Sequence, residues 1–341
     1  MNQLEVDEIP KKRLIIRLSS LGDVILSTSA LETLGVKKQQ FDWVVSAELA
    51  PLLRGHPRLQ RLWTFDRAGG LSVWIRLCRN LWEEQYTDVA DLHASLRTRI
   101  LKILFRFWSL SERKTMPRWQ RIRKSRWRLQ GYFVFKKFWP RGLRPRPMVE
   151  RFARAVGGDG SERPNLSYLV HAGKIQIPQP YICVMPGAAW PGKRWPVQNY
   201  VKVLRRSGIT AVILGSQNDT ESLALVREME SNSLTFVSGV GKWSLLENAE
   251  VLARSRGYLG NDTGMAHLAQ ALGVPATVVM GPTVSDMGFG PWQAGSASVS
   301  ASLWCSPCGK DGRFCFRLTN RYACMSRLHP EAVVSSTQRF F

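Results

Sequence analysis

The run Asn261-Asp262-Thr263-Gly264-Met265-Ala266-His267 has residue types and spacing suited to holding a phosphate. It follows a strand-like stretch, Gly257-Tyr258-Leu259-Gly260, and opens a helical run over 264–272 that stops at Gly273-Val274-Pro275. A strand that turns into a helix through Asp-Thr-Gly presents free backbone N–H groups at the positive end of the helix dipole, a seat for a phosphate or pyrophosphate. The same residues also suit a plain capped turn, with Asp262 and Thr263 as caps. Two further stretches repeat the plan. Arg13 to Leu18 leads through Ser19-Ser20-Leu21-Gly22-Asp23 into a helical pattern, and Tyr181 to Met185 leads through Pro186-Gly187-Ala188-Ala189-Trp190 and Lys193-Arg194-Trp195-Pro196 into another. Polar loop residues at the carboxyl ends of strands are where open α/β sheets place their ligands.

The elements that must position these loops alternate along the chain. In the first half strands are expected at 13–18, 41–46, 61–65 and 87–91, with helices at 23–34, 47–54 and 71–84. In the second half strands are expected at 181–185, 210–214, 234–237, 257–260 and 276–280, with helices at 197–206, 220–231, 243–253 and 264–272. Such alternation predicts parallel sheets covered by helices on both faces. The polar, Pro-containing stretch 157–180 reads as a linker, and 341 residues with 44% hydrophobic content suffice for two domains.

The charge is uneven. The chain carries a net +22, and the segment from Arg97 to Arg151 holds 18 basic residues against 2 acidic ones. Within it Arg99, Lys102 and Arg106 share one helical face, with Ile100, Ile103, Leu104, Phe107 and Trp108 around the rest. Basic residues then interleave with aromatics from Arg118 to Trp139. This pattern calls for a polyanionic partner: an anionic membrane surface, an acidic lipid or a single-stranded nucleic acid. There is no apolar run long enough to span a bilayer, and the polar, acidic start from Met1 to Pro10 lacks the order of a secretory signal, so a cytoplasmic protein is expected. Of six cysteines, Cys78 and Cys183 sit in apolar runs. Cys305, Cys308, Cys315 and Cys324 cluster in sequence, and only the first pair has zinc-ligand spacing; a structural zinc and a loop packed by reduced thiols both remain open.

Taken in order, Arg17-Leu18-Ser19-Ser20-Leu21-Gly22-Asp23, Lys193-Arg194-Trp195-Pro196, Asp262 to Ala269, Gly281-Pro282-Thr283 and the trailing cysteine-rich loop resemble the signature blocks of glycosyltransferase family 9, the ADP-heptose:lipopolysaccharide heptosyltransferases. The resemblance covers most of the chain. It implies an α/β GT-B arrangement of two Rossmann-like domains facing a cleft. Residues 1–165 would be the acceptor-binding domain, with the basic aromatic stretch 97–147 as an insertion, and 166–341 the nucleotide-sugar domain. It implies an inverting transfer of heptose from ADP-heptose to Kdo or heptose of the lipopolysaccharide inner core, with no cofactor required for catalysis, at the inner face of the cytoplasmic membrane.

The resemblance also implies roles. Asp23 would be the base that takes the acceptor proton, and Lys193 would neutralise charge on the leaving phosphate. Thr263, Gly264 and His267 would hold the pyrophosphate through backbone N–H groups, Asp262 would orient that loop or contact the sugar, and Asp219 would accept from the ribose. Ser20, Gly22, Arg97, Arg99 and Arg121 would meet the anionic saccharolipid acceptor. Where some members of the family carry hydroxyl residues, this chain has Ala188-Ala189, so its sugar pocket is expected to differ. Two other readings stay open: another sugar nucleotide or acceptor within the same family, and a basic nucleic-acid-binding protein, which explains the charge but neither Asp23, Lys193 nor the Asp-Thr-Gly loop.

Overall fold

The computed structural model describes residues 12–32, 41–123, 126–170 and 175–341, which form two compact α/β units. The acidic N-terminal stretch, the end of the first expected helix at 33–34, and Lys124 and Ser125 of the basic run lie outside the described residues. The first unit comprises residues 1–123 and 150–162; the second comprises 124–149 and 163–341. The stretch 97–147 is therefore divided: its first part belongs to the first sheet and its covering helix, while 124–149 groups with the second unit.

In the first unit the chain runs β1 (Arg13–Ile16), α1 (Leu21–Glu32), β2 (Phe41–Ser46), β3 (Leu59–Phe65), α2 (Gly70–Glu83), β4 (Asp88–Asp91), α3 (Leu96–Ser111) and β5 (Arg118–Arg121). All pairings are parallel, and the strand order is β3-β2-β1-β4-β5. The order reverses between β1 and β4, so the loops after these two strands diverge to opposite faces and leave room for a ligand at their carboxyl ends. Apolar residues of β1 and β4, with Trp63, Trp74, Trp82 and Phe105, fill the core on one side of the sheet.

Two expectations change here. Residues 47–52 form a 3-10 turn rather than an α-helix; Pro51 lies inside it and has no N–H to continue an α-helical ladder. Arg118–Arg121, in the basic aromatic stretch for which no strand was expected, is the edge strand β5. Trp119 turns onto the core beside Phe105, and the arginines at either end face solvent, as suits a charged sheet edge.

Next come α4 (Arg126–Phe135) and α5 (Met148–Arg154); from Glu150 onward the chain groups again with the first unit. The second sheet contains β6 (Tyr181–Met185), β7 (Thr210–Ile213), β8 (Phe236–Ser238), β9 (Tyr258–Asn261), β10 (Ala276–Val279) and β11 (Ala297–Val299). Helices α6 (Val197–Ser207), α7 (Thr220–Ser231), α8 (Leu245–Ala253) and α9 (Gly264–Ala271) connect the strands, and the short α10 (Ala323–Ser326) and α11 (Pro330–Thr337) complete the unit. The order is β11-β10-β9-β6-β7-β8, again fully parallel, with its reversal between β6 and β9. Residues such as Ile182, Trp195, Tyr200, Ile213, Leu259 and Val279 form one core on this sheet. Among the described residues no helix is long and apolar enough to cross a membrane.

Candidate functional site

Each sheet carries a charged pair at its reversal point. In the first unit β1 continues into Arg17, whose side chain is buried. One guanidinium nitrogen donates to the Leu92 carbonyl after β4 (2.6 Å), and the other pairs with Asp23 in the first turn of α1. Arg17 thus ties together the two loops that diverge from the sheet and fixes the Asp23 carboxylate at their junction. Burial lowers the Arg17 guanidinium below its ordinary value; Asp23, and less strongly Asp91, pull it back up. Ser20 donates to the same Asp23 oxygen at 3.3 Å, and Gly22 lies beside Asp23 in the first turn of α1. Arg151 on α5, which the sequence reading left without a role, faces this carboxylate as well. Burial lowers its guanidinium, with Asp23 opposing the shift and Arg17 adding to it. Asp23 is thus set among two guanidinium groups and a hydroxyl.

The other expected acceptor contacts are spread more widely. Arg121 at the end of β5 lies 3.2 Å from Asp91, whose other oxygen accepts from the N–H groups of His93 and Ala94, so Arg121 buttresses the turn into α3. Arg97 lies over the Phe65 ring at 5.1 Å. Arg99 is exposed, and being two residues from Arg97 it falls on the opposite flank of the helix.

In the second unit Lys193, in the loop after β6, places its ammonium 2.7 Å from Asp262 Oδ2 and 3.2 Å from the Asp262 carbonyl, in the loop after β9. Asp262 is buried, and Thr283 Oγ1 donates to the same oxygen at 2.8 Å. The preceding residue, Asn261, is wholly buried. Its amide donates to the Pro186 carbonyl, and its oxygen accepts from the Tyr200 hydroxyl (2.9 Å). Two consecutive side chains, Asn261 and Asp262, therefore lock the β6 and β9 loops together.

Helix α9 starts at once after this lock, with Thr263 as its N-cap residue and no side-chain capping bond. The first N–H groups of the helix have no intrahelical acceptor and are oriented outward from its end. His267 is the fourth helical residue; its N–H closes the first turn, and its ring is buried in a stack on Trp292 at 5.8 Å. The structure therefore brings Thr263 and Gly264 to the mouth of the helix with Lys193 and places His267 behind them.

Asp219 caps α7, accepting from Ser222 N (3.2 Å) and Ser222 Oγ (2.9 Å). It stands against the β6 loop so closely that a Cβ on Gly187 would lie 1.8 Å from its carboxylate. The loop itself is fixed from outside. Arg194 donates to the Ala188 carbonyl (2.9 Å) and pairs with Glu221 (2.8 Å). Gly192 is wedged between Gly281 and Gly312: a Cβ on Gly281 would lie 2.5 Å from the Gly192 carbonyl, and one on Gly192 2.6 Å from the Gly312 carbonyl. The cysteine-rich loop thus supports the loop that delivers Lys193.

Cys305, Cys308, Cys315 and Cys324 are free thiols. Burial pushes Cys324 up to about 12 and raises Cys308 as well. The Tyr322 N–H donates to Cys315 Sγ at 3.4 Å. Among the described residues no group of three or more His, Cys, Asp or Glu side chains is arranged to hold a metal ion.

Comparison with known proteins accords with this geometry. Residues 162–314 match the sequence model of glycosyltransferase family 9 (heptosyltransferase). Lipopolysaccharide heptosyltransferase 1 of Pseudomonas aeruginosa is 26% identical over 365 aligned positions, covering 95% of this chain and 96% of that protein. Among solved structures, a family 9 glycosyltransferase from Veillonella parvula superposes with a TM-score of 0.72 at 20% identity, covering 99% of both chains. The ADP-heptose lipopolysaccharide heptosyltransferase II of E. coli superposes at 0.70 and 19% identity, covering 96% of this chain and 98% of that one. These structures share the two-sheet α/β fold. With the ordered motif blocks now placed at the two reversal points, the chain is similar along nearly its full length to a heptosyltransferase, and its residues 162–314 match the sequence model of glycosyltransferase family 9.

Proposed function

We propose that the protein is an inverting glycosyltransferase that moves heptose from ADP-heptose onto Kdo or heptose of the lipopolysaccharide inner core, working at the inner face of the cytoplasmic membrane as a peripheral protein. The observation that carries this reading is the Lys193–Asp262 pair beside the open N-terminus of α9. An ammonium has three protons; two are directed at Asp262, and the third is available to a phosphate seated on the N–H groups of Thr263 and Gly264. As the bond between anomeric carbon and β-phosphate breaks, negative charge grows on the diphosphate. Donors already in place stabilise that charge more than they stabilise the ground state. Asp262 and Thr283 hold the lysine in position, and Asp219 stands where a ribose hydroxyl would be read.

In this reading the first unit takes the acceptor and the second the nucleotide sugar. Asp23 removes the proton from the attacking hydroxyl as the hydroxyl becomes acidic in the transition state. Arg17 and Ser20 orient the carboxylate, and Gly22 lets the acceptor approach the start of α1. Arg97, Arg121 and Arg151 supply positive charge for an acceptor rich in carboxylate and phosphate. Relatives named as lipopolysaccharide heptosyltransferases, aligned over most of their length, support the choice of donor and acceptor.

Calorimetric titration with ADP-heptose and ADP tests the donor site. Saturable binding that weakens in Lys193→Ala is expected. Binding of a different sugar nucleotide in preference to ADP-heptose would move the protein to another donor within the family, in keeping with Ala188-Ala189 beside the site.

A further inference from the structure

Helix α3 has two apolar faces, and only one of them is packed. Leu101 and Phe105 are buried, with Phe105 edge-on to Trp82 at 5.2 Å and to Trp119 at 6.1 Å. On the other side Leu96, Ile103, Phe107 and Leu110 are 71%, 65%, 63% and 82% exposed. At 100° per residue these four side chains fall within about 60° of one another and form a continuous stripe down the helix. Arg99, Lys102 and Arg106, all exposed, run along one edge of the stripe.

An apolar stripe of this length is seldom left in water without a partner. Its edge says which partner. A second copy of the same helix would bring a second row of the same cations, and like charges facing each other oppose such a contact. A row of phosphates satisfies both features at once: acyl chains receive the stripe and headgroups pair with the cations. The helix is also held firmly enough to act as a platform. Ser95 and Thr98 close a capping box at its start, and Glu112 ties its end to Arg79 and Trp82 of α2.

We propose that α3 is a membrane-docking helix that lies in the plane of an anionic lipid surface, with Leu96, Ile103, Phe107 and Leu110 at the acyl boundary and Arg99, Lys102 and Arg106 on headgroup phosphates. The inference rests on the function proposed above only in taking the partner to be the membrane that carries a lipid-linked acceptor. The helix begins at the same sheet edge that bears Arg17 and Asp23, through the Arg17 bond to Leu92, so a docked α3 leads from the lipid surface to the acceptor end of the first unit.

The test is sedimentation of the full chain with vesicles of equal parts phosphatidylglycerol and phosphatidylcholine, against vesicles of phosphatidylcholine alone. Wild type is expected to sediment with the anionic vesicles and to be released by salt. Ile103→Ser/Phe107→Ser and Lys102→Glu/Arg106→Glu are each expected to weaken partitioning on the order of tenfold or more. All four side chains are exposed, so circular dichroism and transfer to a water-soluble, deacylated acceptor should be unchanged. Failure of wild type to sediment, or sedimentation of both variants equal to wild type, overturns the proposal. So does light scattering that shows a wild-type dimer made monomeric by Ile103→Ser/Phe107→Ser with vesicle binding intact, since a second copy would then cover the stripe. Docking without any transfer from ADP-heptose would leave this inference standing and remove the proposed reaction.

Discussion

Lys193 and Asp262 are 69 residues apart in sequence and 2.7 Å apart in space, joined across the point where the second sheet reverses its strand order. The pair does two jobs. It holds the β6 and β9 loops in register, and it fixes a cation at the end of a helix whose first N–H groups have no intrahelical acceptor.

Both jobs are lost in Lys193→Ala. Removing a donor aimed at developing charge costs about 10²–10³ in turnover. The buried Asp262 carboxylate also loses its cation and keeps only Thr283, so a stability loss of roughly 3 kcal/mol is expected. Steady-state kinetics with a thermal melt of the same preparation check the two effects. Asp262→Asn, which removes the buried charge but keeps an acceptor for Thr283, should lose less stability than Lys193→Ala.

Asp23→Asn keeps the size of the side chain and one oxygen for Arg17 and Ser20, but it takes no proton. Turnover should fall by about 10²–10⁴, with ADP affinity by calorimetry unchanged, because the proposed donor contacts lie in the second unit. A variant that retained turnover within a few fold would remove Asp23 from its assigned role.

Gly187→Ala sets a methyl group onto the Asp219 carboxylate, at a distance of 1.8 Å before relaxation. The loop or the α7 cap must shift, at a cost of about 1–3 kcal/mol. Gly281→Ala should behave similarly through the Gly192 carbonyl. Both should weaken ADP binding, whereas Gly309→Ala, where nothing lies within 4 Å of an added Cβ, should leave melting temperature and ADP affinity unchanged.

Glu112, at the end of α3, accepts from Arg79 and Trp82 and pairs with Lys114. These donors, Arg79 foremost, pull its carboxyl from the ordinary 4.5 down to about 2. A carboxyl depressed in the folded state contributes stability that is present above 4.5 and lost as pH falls toward 2. Denaturant titrations across that window should show stability falling with pH, with a shallower fall in Glu112→Gln.

Most of the strands were legible from the sequence because each buried strand is a short apolar run followed by small or polar loop residues, as in Tyr181 to Gly187. β5 was not, because Arg-Trp-Gln-Arg reads as a solvated charged segment; only its pairing with β4 turns Trp119 inward. The site was legible residue by residue but not as pairs. Asp23 and Lys193 stand out in their loops, yet nothing local says that Arg17 reaches across to Leu92, or that Thr283, 21 residues on, bonds Asp262. Those contacts follow from strand order. Arg151 was hidden among many arginines, and His267, grouped in sequence with the Asp-Thr-Gly loop, proves to be a stacking residue because it falls one turn into α9.

The most direct test of the central claim is a transfer assay with ADP-heptose and a deacylated inner-core acceptor, followed by mass spectrometry of the acceptor and release of ADP. The account predicts an acceptor heavier by one heptose for each ADP released, with the product lost in Asp23→Asn and Lys193→Ala. Folded wild-type protein that binds ADP but yields no heptosylated acceptor, on acceptors ending in either Kdo or heptose, would contradict it.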